Sequence, residues 1–353
     1  MSATRRKGPS RTLQFLLLAV LVLFGWWMWR EIGGTTTNPK TVRIIIPRGT
    51  TVRAAGDSLA RAHVIASSRF FRWYARTTGV AHVIKPGAYL FGERTGYADV
   101  LEALVEGRGI MHTVVIPEGY DLRDITPLLV KALGVTSDSV RVAATDSAWR
   151  AKLNVPAPSL EGYLFPATYS FADGTTAREA ITEMLVRFES VWKPEWDAQL
   201  QTMSISRHAA MTMASIVEKE ARKSEERPII AAVYWNRVKK GMLLQADPTV
   251  QYALPAHVDR VFYKDLDVDS KYNTYRFLGL PPGPIASPGE PSIVAALHPA
   301  NVPYLYFVAH PDGHHEFRTT FAEHRDAIAS VKRATKTGQG KSSNTSVKAP
   351  ATK

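Results

Sequence analysis

The distribution of apolar and polar positions begins with a long apolar run near the N-terminus. Residues 12–29 form an 18-residue stretch between Arg11 and Arg30 in which polar side chains are scarce. As an α-helix this stretch would be about 27 Å long, close to the thickness of the hydrocarbon core of a bilayer. Three tryptophans stand at its C-terminal end, and indole rings favour the membrane interface. The pattern therefore predicts a single transmembrane helix at 12–29.

The charges on either side of this run predict its orientation. Residues 1–11 hold four basic residues and no acidic residue, which is typical of a cytoplasmic segment. Residues 30–40 would form a short tether, and the rest of the chain is expected on the outer side of the cytoplasmic (inner) membrane. A cleaved signal peptide is the alternative, although the apolar run is long for one and no A-x-A-like site follows it.

A strand–turn–helix pattern follows and occurs twice, with an offset of 70 residues. Each copy has a short strand-like run, a turn with Pro and Gly, and one apolar helix face. The matched positions are Pro47 and Pro117, Gly49 and Gly119, Val52 and Leu122, Ala55 and Ile125, Leu59 and Leu129, and Ala62 and Ala132. So many matches at one offset indicate a duplicated unit.

The segment between the two copies completes a β-α-α-β order. The elements predicted there are a helix at 67–76, a strand at 88–91 and a helix at 97–106. This order resembles a LysM-like carbohydrate-binding module, which we place at 41–136. Trp73 and Tyr74 would be candidates for sugar contact in such a module, although aromatic residues on a helix are also common core residues.

Further along the chain, composition predicts two boundaries. Residues 137–158 are rich in Ser, Ala and Pro and are expected to form a linker. A mixed α/β catalytic domain would then occupy 159–330. Residues 331–353 are rich in Lys, Ser, Thr and Gly, which predicts a disordered basic tail. The expected fold class is α+β, with the transmembrane helix, the LysM-like module and the catalytic domain in that order.

Composition and charge narrow the classes of function. The chain has 353 residues, of which 45% are hydrophobic and 22% are charged, as in globular proteins. The formal charge is +12, but ten basic residues lie in 1–11 and 331–353, which leaves +2 for 12–330. The charge therefore gives no reason to expect nucleic-acid binding. The absence of cysteine excludes disulfides, thiolate catalysis and cysteine-based zinc sites.

One predicted helix carries a candidate general acid. Residues 208–221 contain no Gly or Pro, and Glu218 lies between Ala214 and Ala221 on an apolar face. A carboxyl group on such a face loses hydration, which disfavours its charged form and suits proton donation near neutral pH. Glu220 would point about 200° away, toward the polar side of the helix. The structural alternative is that Glu218 forms an ion pair with a buried arginine such as Arg237.

Polar side chains that lie among aromatic ones in the flanking segments are candidates for binding a sugar. Pyranose rings pack on aromatic faces, and their hydroxyl groups pair with short polar side chains. The candidates are Tyr163, Ser215, Asn236, Gln245, Asp247, Asn273 and Tyr275. The polar ones could instead cap a turn or bond to the backbone, and Tyr163 could pack below the groove.

Five short motifs occur in a fixed order through the second half of the chain. They are LEGYLFP at 160–166, ASIVEKE at 214–220, LQADPTV at 244–250, YNTY at 272–275 and GLPPG at 279–283. Together they resemble the MltG (YceG-like) family of endolytic peptidoglycan transglycosylases. The resemblance implies a membrane-anchored lytic transglycosylase, a lyase that cleaves glycan strands within the chain. It also implies that Glu218 stands at the catalytic glutamate of the family.

The reaction that the resemblance implies can use a single carboxyl group. Protonated Glu218 would give its proton to the glycosidic oxygen between N-acetylmuramic acid and N-acetylglucosamine, and its carboxylate would then take the proton of the 6-hydroxyl. The product would carry a 1,6-anhydro end, because an intramolecular hydroxyl replaces water. Asp247 and Glu161 stay open as partner carboxyls. Such an enzyme would limit strand length in cell wall biogenesis, near membrane-bound peptidoglycan synthases.

Two other classes of function stay open. A metal-dependent wall hydrolase would use the histidines of 310–316, but Pro311 and Gly313 predict a turn there and no H-E-x-x-H motif occurs. A non-catalytic scaffold would use the LysM-like module to hold peptidoglycan near the synthases. We therefore expect no metal and no cofactor, with peptidoglycan strands as the binding partner.

Overall fold

The computed structural model describes residues 11–33, 41–80, 84–92, 95–256, 258 and 260–342. The chain divides into two compact units. Unit 1 comprises Met1–Thr113 and Ser170–Thr175, and unit 2 comprises Val114–Tyr169 and Thr176–Lys353. The predicted cytoplasmic segment, apart from Arg11, and most of the predicted tether lie outside the described residues.

The first helix of unit 1 contains the apolar run. Helix α1 spans Arg11–Gly33 and includes the whole of 12–29 together with the first residues of the predicted tether. Among the residues that the structure describes, no helix is both long enough and apolar enough to cross a membrane. The transmembrane assignment accordingly stays a prediction.

Unit 1 then follows the predicted β-α-α-β order. Its elements are β1 (Thr41–Ile46), α2 (Val52–Arg61), α3 (Ser68–Thr77), β2 (Gly87–Gly92) and α4 (Tyr97–Glu106). Strands β1 and β2 pair in antiparallel fashion, with Thr41 opposite Gly92 at one end and Ile46 opposite Gly87 at the other. Helices α2 and α3 begin at hydroxyl N-caps, which bond free N–H groups of the first turn.

The apolar positions predicted for this module form one core. Ile44 and Ile46 alternate toward the inner face of β1 and pack with Phe71 and Leu104. The two candidate sugar contacts differ in exposure. Tyr74 packs against this core, whereas 46% of Trp73 is exposed.

The second copy of the repeated unit consists of β3 (Met111–Val115) and α5 (Leu122–Leu133). Its turn contains Gly119 at φ +77°, the same value as Gly49 in the first copy, in a region that favours glycine. The duplicated strand–turn–helix order is therefore present. The division between units falls after Thr113, however, so residues 41–136 do not form one module and helix α5 belongs to unit 2.

Two helices occupy the segment that was expected to be a linker. These are α6 (Ser137–Ala144) and α7 (Ser147–Lys152). Thr136 and Asp146 cap their N-termini with side-chain hydrogen bonds, and Val140 is fully buried. The Ser and Ala content of 137–158 therefore comes from helix caps and small packing residues, and the linker prediction is corrected on this point.

The chain then continues through a mainly helical region. Its elements are β4 (Thr168–Ala172), α8 (Ala177–Val191), α9 (Pro194–Met203), α10 (Arg207–Glu220), α11 (Arg227–Lys239), α12 (Asp247–Ala253), α13 (Glu290–Leu297), β5 (Tyr306–Ala309), β6 (His315–Arg318) and α14 (Phe321–Ser342). β3 pairs with β4, and β5 pairs with β6 in antiparallel fashion. Helices and small sheets together agree with the α+β class.

Helix α10 is the central element of unit 2. It packs against α11 and α13, and every residue from His208 to Val217 except Ala209 is buried. At the other end of the unit, α14 continues to Ser342. The first part of the predicted disordered tail 331–353 is therefore helical, and residues 343–353 lie outside the described residues.

Candidate active site

The C-terminal turn of α10 directs two carboxyl groups toward different surroundings. Ser206 caps the helix and accepts a hydrogen bond from the N–H of Ala209, and the helix ends at Glu220. Glu218 and Glu220 are two positions apart, so their side chains leave the helix on opposite sides. The cavity lined by Glu220 and the cavity lined by Glu218 have no residue in common.

Glu220 lines a cavity of about 340 Å³. This volume lies in the range of ligand-binding clefts. The other lining residues come from α11, the first residue of α12 and the segment before it, the 272–275 motif, the β5–β6 hairpin and α14. They are Tyr234, Arg237, Leu244, Gln245, Asp247, Tyr275, Phe307, Ala309, His315 and His324. Three of the predicted sugar-binding residues, Gln245, Asp247 and Tyr275, thus lie together here.

The surroundings of Glu220 keep its carboxyl group close to half-protonated at neutral pH. Burial raises the pKa of Glu220 to about 7, and the negative charge of Asp247 adds to the rise. The hydroxyl of Tyr234, which donates to Oε1 at 2.7 Å, and the charge of Arg237 oppose it. A carboxyl group with this pKa can act both as a proton donor and as a proton acceptor near pH 7.

Arg237 holds the wall of this cavity in place. Its Nε donates to the carbonyl oxygen of Leu305 at 2.7 Å, and its Nη1 donates to that of Leu244 at 2.7 Å. Burial lowers the pKa of Arg237, although nearby Tyr234 opposes this effect. The guanidinium therefore joins α11 to the segment that carries the LQADPTV motif.

The LQADPTV segment has an unusual backbone at the cavity. Gln245 adopts φ +53°, a left-handed conformation that costs a non-glycine residue free energy. Its N–H donates to the carbonyl of Thr274. Asp247 begins α12 and accepts a hydrogen bond from the hydroxyl of Tyr275. The two motifs at 244–250 and 272–275 are thus fastened to each other beside Glu220.

Glu218 has a different environment, dominated by fixed hydrogen-bond donors. Its side chain is 7% exposed, and Oε2 accepts from the N–H of Gly289 at 3.0 Å. Oε1 lies 3.5 Å from Nη2 of Arg227, which also donates from Nε to Ser292. The partner arginine is therefore Arg227, and Arg237 faces the other cavity.

A second carboxyl group, which sequence reasoning missed, lies beside Glu218. A Cβ placed on Gly289 would collide with the carboxyl group of Glu118, so that the carboxyl groups of Glu118 and Glu218 both reach this glycine. Burial raises the pKa of Glu118, the charge of Glu218 adds to the rise, and Arg227 opposes it. The two carboxyl groups line a cavity of about 400 Å³ with Gly119, Tyr120, Asp124 and Lys219.

Four predicted sugar-binding residues have polar atoms that form hydrogen bonds within the protein. Tyr163 is buried and its hydroxyl bonds to Nδ1 of His208 at 3.0 Å. Ser215 is buried, and its hydroxyl donates to the carbonyl of Thr212 and accepts from the N–H of Ile285. These two side chains are corrected to core positions, because their polar atoms are already paired inside the protein.

The two asparagines bond to the backbone. Asn236 donates to the carbonyl oxygens of Val302 and Tyr304, and so fastens α11 to the segment before β5. Asn273 is buried and donates to the carbonyl oxygens of Leu266 and Val268. These bonds close loops, and the substrate contacts predicted for both residues stay a prediction.

Glu161, one of the two partner carboxyls left open by the sequence, lies outside the cavity of Glu220. It accepts hydrogen bonds from the N–H of Leu122 and the hydroxyl of Tyr252. Burial raises the pKa of Glu161 to about 8, against the effect of the bond from Leu122. Asp247, the other partner, does share the cavity with Glu220.

The histidines of the β5–β6 turn contact carboxyl groups individually. His310 lies 3.0 Å from Glu316, and His315 lies 2.6 Å from Glu226. Within the described ranges, no group of three or more His, Asp or Glu side chains could hold a metal ion. Sequence reasoning considered His315 only as a metal ligand and Arg237 only as an ion-pair partner of Glu218, and it did not include Tyr234 among the sugar-binding candidates.

Comparison with known proteins places these motifs in a family. A model of the YceG-like family matches residues 44–330. Over 302 residues the chain is 36% identical to an endolytic murein transglycosylase of Bacillus subtilis. The match covers 81% of this chain and 84% of that protein. An endolytic murein transglycosylase of Streptococcus pneumoniae is 29% identical over 303 residues, and the match spans 55% of its length.

A solved structure agrees with this result. The crystal structure of a yceG-like protein from Listeria monocytogenes has a TM-score of 0.57 and 34% sequence identity to the chain. The match covers 82% of this chain and 99% of that one. The family match begins within β1 of unit 1 and includes every residue that lines the Glu220 cavity. On these grounds the chain belongs to the YceG-like family.

Proposed function

We propose that the protein is an endolytic murein transglycosylase that cleaves peptidoglycan strands and leaves 1,6-anhydro ends. The observation that carries the proposal is a carboxyl group with a pKa of about 7 in a cavity built from the motifs of the family. Relatives at 36% and 29% identity bear the name endolytic murein transglycosylase. The proposed substrate is therefore the bond between N-acetylmuramic acid and N-acetylglucosamine within a strand.

In this proposal Glu220 acts as the general acid. Its protonated carboxyl gives a proton to the glycosidic oxygen while positive charge develops at the anomeric carbon of the muramic sugar. The carboxylate that remains takes the proton of the 6-hydroxyl, whose oxygen bonds to the anomeric carbon. One proton enters the leaving sugar and one returns to Glu220, so the enzyme ends each cycle unchanged.

The neighbouring groups support these two roles. Burial, and to a smaller extent the negative charge of Asp247, raise the pKa of Glu220 and so favour its protonated form before the reaction. Tyr234 and Arg237 favour the carboxylate that forms during the reaction. The 6-hydroxyl belongs to the sugar itself, so its proximity replaces the water and the second carboxylate that a hydrolase would need.

Glu218, the residue assigned from the sequence, is the alternative general acid. Its carboxyl group accepts a hydrogen bond from the N–H of Gly289 and lies 3.5 Å from Arg227, so both of its oxygens already have partners inside the protein. The predicted sugar-binding residues Gln245 and Asp247 line the cavity of Glu220. These two observations favour Glu220 as the acid and a structural role for Glu218 beside Glu118.

The proposal also places the enzyme at the membrane. The apolar run at 12–29 would anchor the chain in the cytoplasmic membrane with its N-terminus inside, and the catalytic residues would meet new glycan strands outside. Membrane-bound peptidoglycan synthases would then be neighbours. In cells, we expect loss of the enzyme to lengthen glycan strands.

The test is a mass analysis of strands digested by the purified protein. A transglycosylase gives anhydro-ended fragments, each lighter by one water than the corresponding product of hydrolysis. Large fragments early in the digestion indicate cleavage within strands. Products with only reducing ends would refute the proposal, and binding of strands without any cleavage would favour the non-catalytic scaffold.

A further inference from the structure

His315 is a wall residue of the Glu220 cavity to which the proposed reaction gives no role. It is the first residue of β6, where it lies opposite Ala309 of β5, and both residues line the cavity. Its side chain is only 3% exposed. The ring of Phe307 packs edge-on against it at 5.2 Å between centroids.

Glu226 fixes the orientation of this imidazole through two hydrogen bonds. The backbone N–H of His315 donates to Oε1 of Glu226 at 2.9 Å, and Nδ1 lies 2.6 Å from Oε2. Burial acts to raise the pKa of Glu226, but its hydrogen bonds with His315 outweigh this effect and lower that pKa. A carboxylate only accepts hydrogen bonds, so Nδ1 carries the proton that joins the two side chains.

The other ring nitrogen is left without a protein partner. Among the residues that the structure describes, Nε2 of His315 makes no hydrogen bond. It is also not one of the fully buried side-chain atoms that lack a hydrogen-bond partner. Because Nδ1 holds the proton, Nε2 of the neutral ring has a free lone pair and is a hydrogen-bond acceptor. A buried imidazole on a cavity wall, with one nitrogen fixed and the other free, is arranged to meet a ligand.

We propose that His315 is a substrate-binding residue whose Nε2 accepts a hydrogen bond from an O–H or N–H group of an N-acetylated sugar in the Glu220 cavity. The inference rests on the proposed function for the kind of ligand. Hydroxyl groups and the acetamido N–H are the donors that such a sugar offers. Glu226 contacts Nδ1 of His315 and does not line the cavity, so it is a positioning residue that selects the tautomer of His315.

Two substitutions of the same residue separate a binding role from a structural one. In His315→Asn, the amide N–H₂ stands near the position of Nδ1 and can still bond to Glu226, but no atom replaces Nε2. In His315→Gln, the longer side chain places an amide oxygen near the position of Nε2, but the bond to Glu226 is lost. His314→Asn is the control, because its neighbouring side chain bonds to Asp312 and lies outside the cavity residues.

The experiment measures kcat/KM on peptidoglycan strands, the dissociation constant of tetra-N-acetylchitotetraose and the thermal midpoint of each variant. We expect His315→Asn to keep the parent's midpoint while its kcat/KM falls and its Kd rises about tenfold, the effect of one lost hydrogen bond. His315→Gln should have the lower midpoint and yet lose less than threefold in kcat/KM. His314→Asn should match the parent.

The opposite order would overturn the inference. If His315→Asn bound the oligosaccharide and cleaved strands like the parent while His315→Gln did neither, the imidazole would serve only to hold Glu226. Failure of the proposed function looks different, because the parent itself would then give no anhydro products. In that case the oligosaccharide Kd alone decides: a tenfold rise in His315→Asn supports the inference, and no binding by the parent refutes it.

Discussion

At the scale of single residues, two glutamates separated by one lysine have opposite surroundings. The sequence was sufficient to predict the helix and to show that Glu218 and Glu220 face different sides. It was not sufficient to say which side faces the cavity that contains Gln245, Asp247 and Tyr275, because that depends on elements up to about a hundred residues away, such as the β5–β6 hairpin. The apolar stripe around Glu218 is core packing, whereas the side of Glu220 faces Tyr234 and Arg237.

The first prediction at this scale concerns pH. Glu220 must be protonated to donate its proton, and its pKa is about 7. We expect kcat/KM to fall about tenfold per pH unit above this value, because the protonated fraction falls in that proportion. Initial rates on purified strands between pH 5 and 9 would measure it. A rate that stays constant up to pH 9 would contradict the assignment of Glu220 as the acid.

The second prediction removes the hydroxyl that bonds to Glu220. Tyr234→Phe deletes a donor that stabilises the carboxylate, so the pKa of Glu220 should rise and the falling limb of the pH profile should move up by about one pH unit. Tyr252→Phe is the control, because its hydroxyl bonds to Glu161 instead. A shift in the control equal to that in Tyr234→Phe would point to a general effect of hydroxyl loss.

At the scale of elements, the strand–turn–helix repeat and helix α10 could be predicted because their apolar periodicity is strong. The linker at 137–158 was predicted from composition alone, and the helix-capping residues in that segment were not taken into account. Thr136 and Asp146 each accept hydrogen bonds from N–H groups two or three residues ahead, so helix starts were readable at both positions. The loop-closing roles of Asn236 and Asn273 could not be predicted, since their partners are carbonyl groups of other segments.

The third prediction tests the glycine of the LEGYLFP motif. Gly162 and Gly279 both have φ +80°, but a Cβ on Gly162 would lie 2.2 Å from Cβ of Pro284, whereas nothing lies within 4 Å of one on Gly279. Alanine at either position should cost about 1–2 kcal/mol in backbone strain. Gly162→Ala should cost about 1–3 kcal/mol more through overpacking. Denaturant unfolding measures both, and equal losses would contradict the close approach.

At the scale of the whole molecule, family membership agrees with the order of motifs along the chain, while the limits of the units differ from those predicted. Sequence similarity between the two copies of the repeat suggested one module at 41–136. The first copy lies in unit 1, whereas the division between the units runs through β3 of the second copy and leaves α5 in unit 2; β1 pairs with β2, and β3 pairs with β4. Similar sequence in two segments predicts similar local structure, and strand pairing decides which core each segment joins.

The fourth prediction concerns the apolar run at 12–29. We expect the full-length chain to stay in the membrane fraction after extraction at alkaline pH, because the transmembrane helix predicted from the sequence at 12–29 would hold it in the bilayer. The intact mass of the extracted protein should include residues 1–11. A mature chain that begins after residue 30 and is released by alkaline washing would indicate a cleaved signal peptide instead.

The central claim is that the carboxyl group of Glu220 moves the proton in strand cleavage. The most direct measurement is the rate at which Glu220→Gln and Glu218→Gln release anhydro-ended fragments from purified peptidoglycan, with folding checked by thermal midpoints. We predict that Glu220→Gln loses at least about a hundredfold in rate while it stays folded. Glu218→Gln should keep its rate within about tenfold of the parent. The account would be contradicted if Glu220→Gln formed anhydro products at the parent's rate while Glu218→Gln formed none.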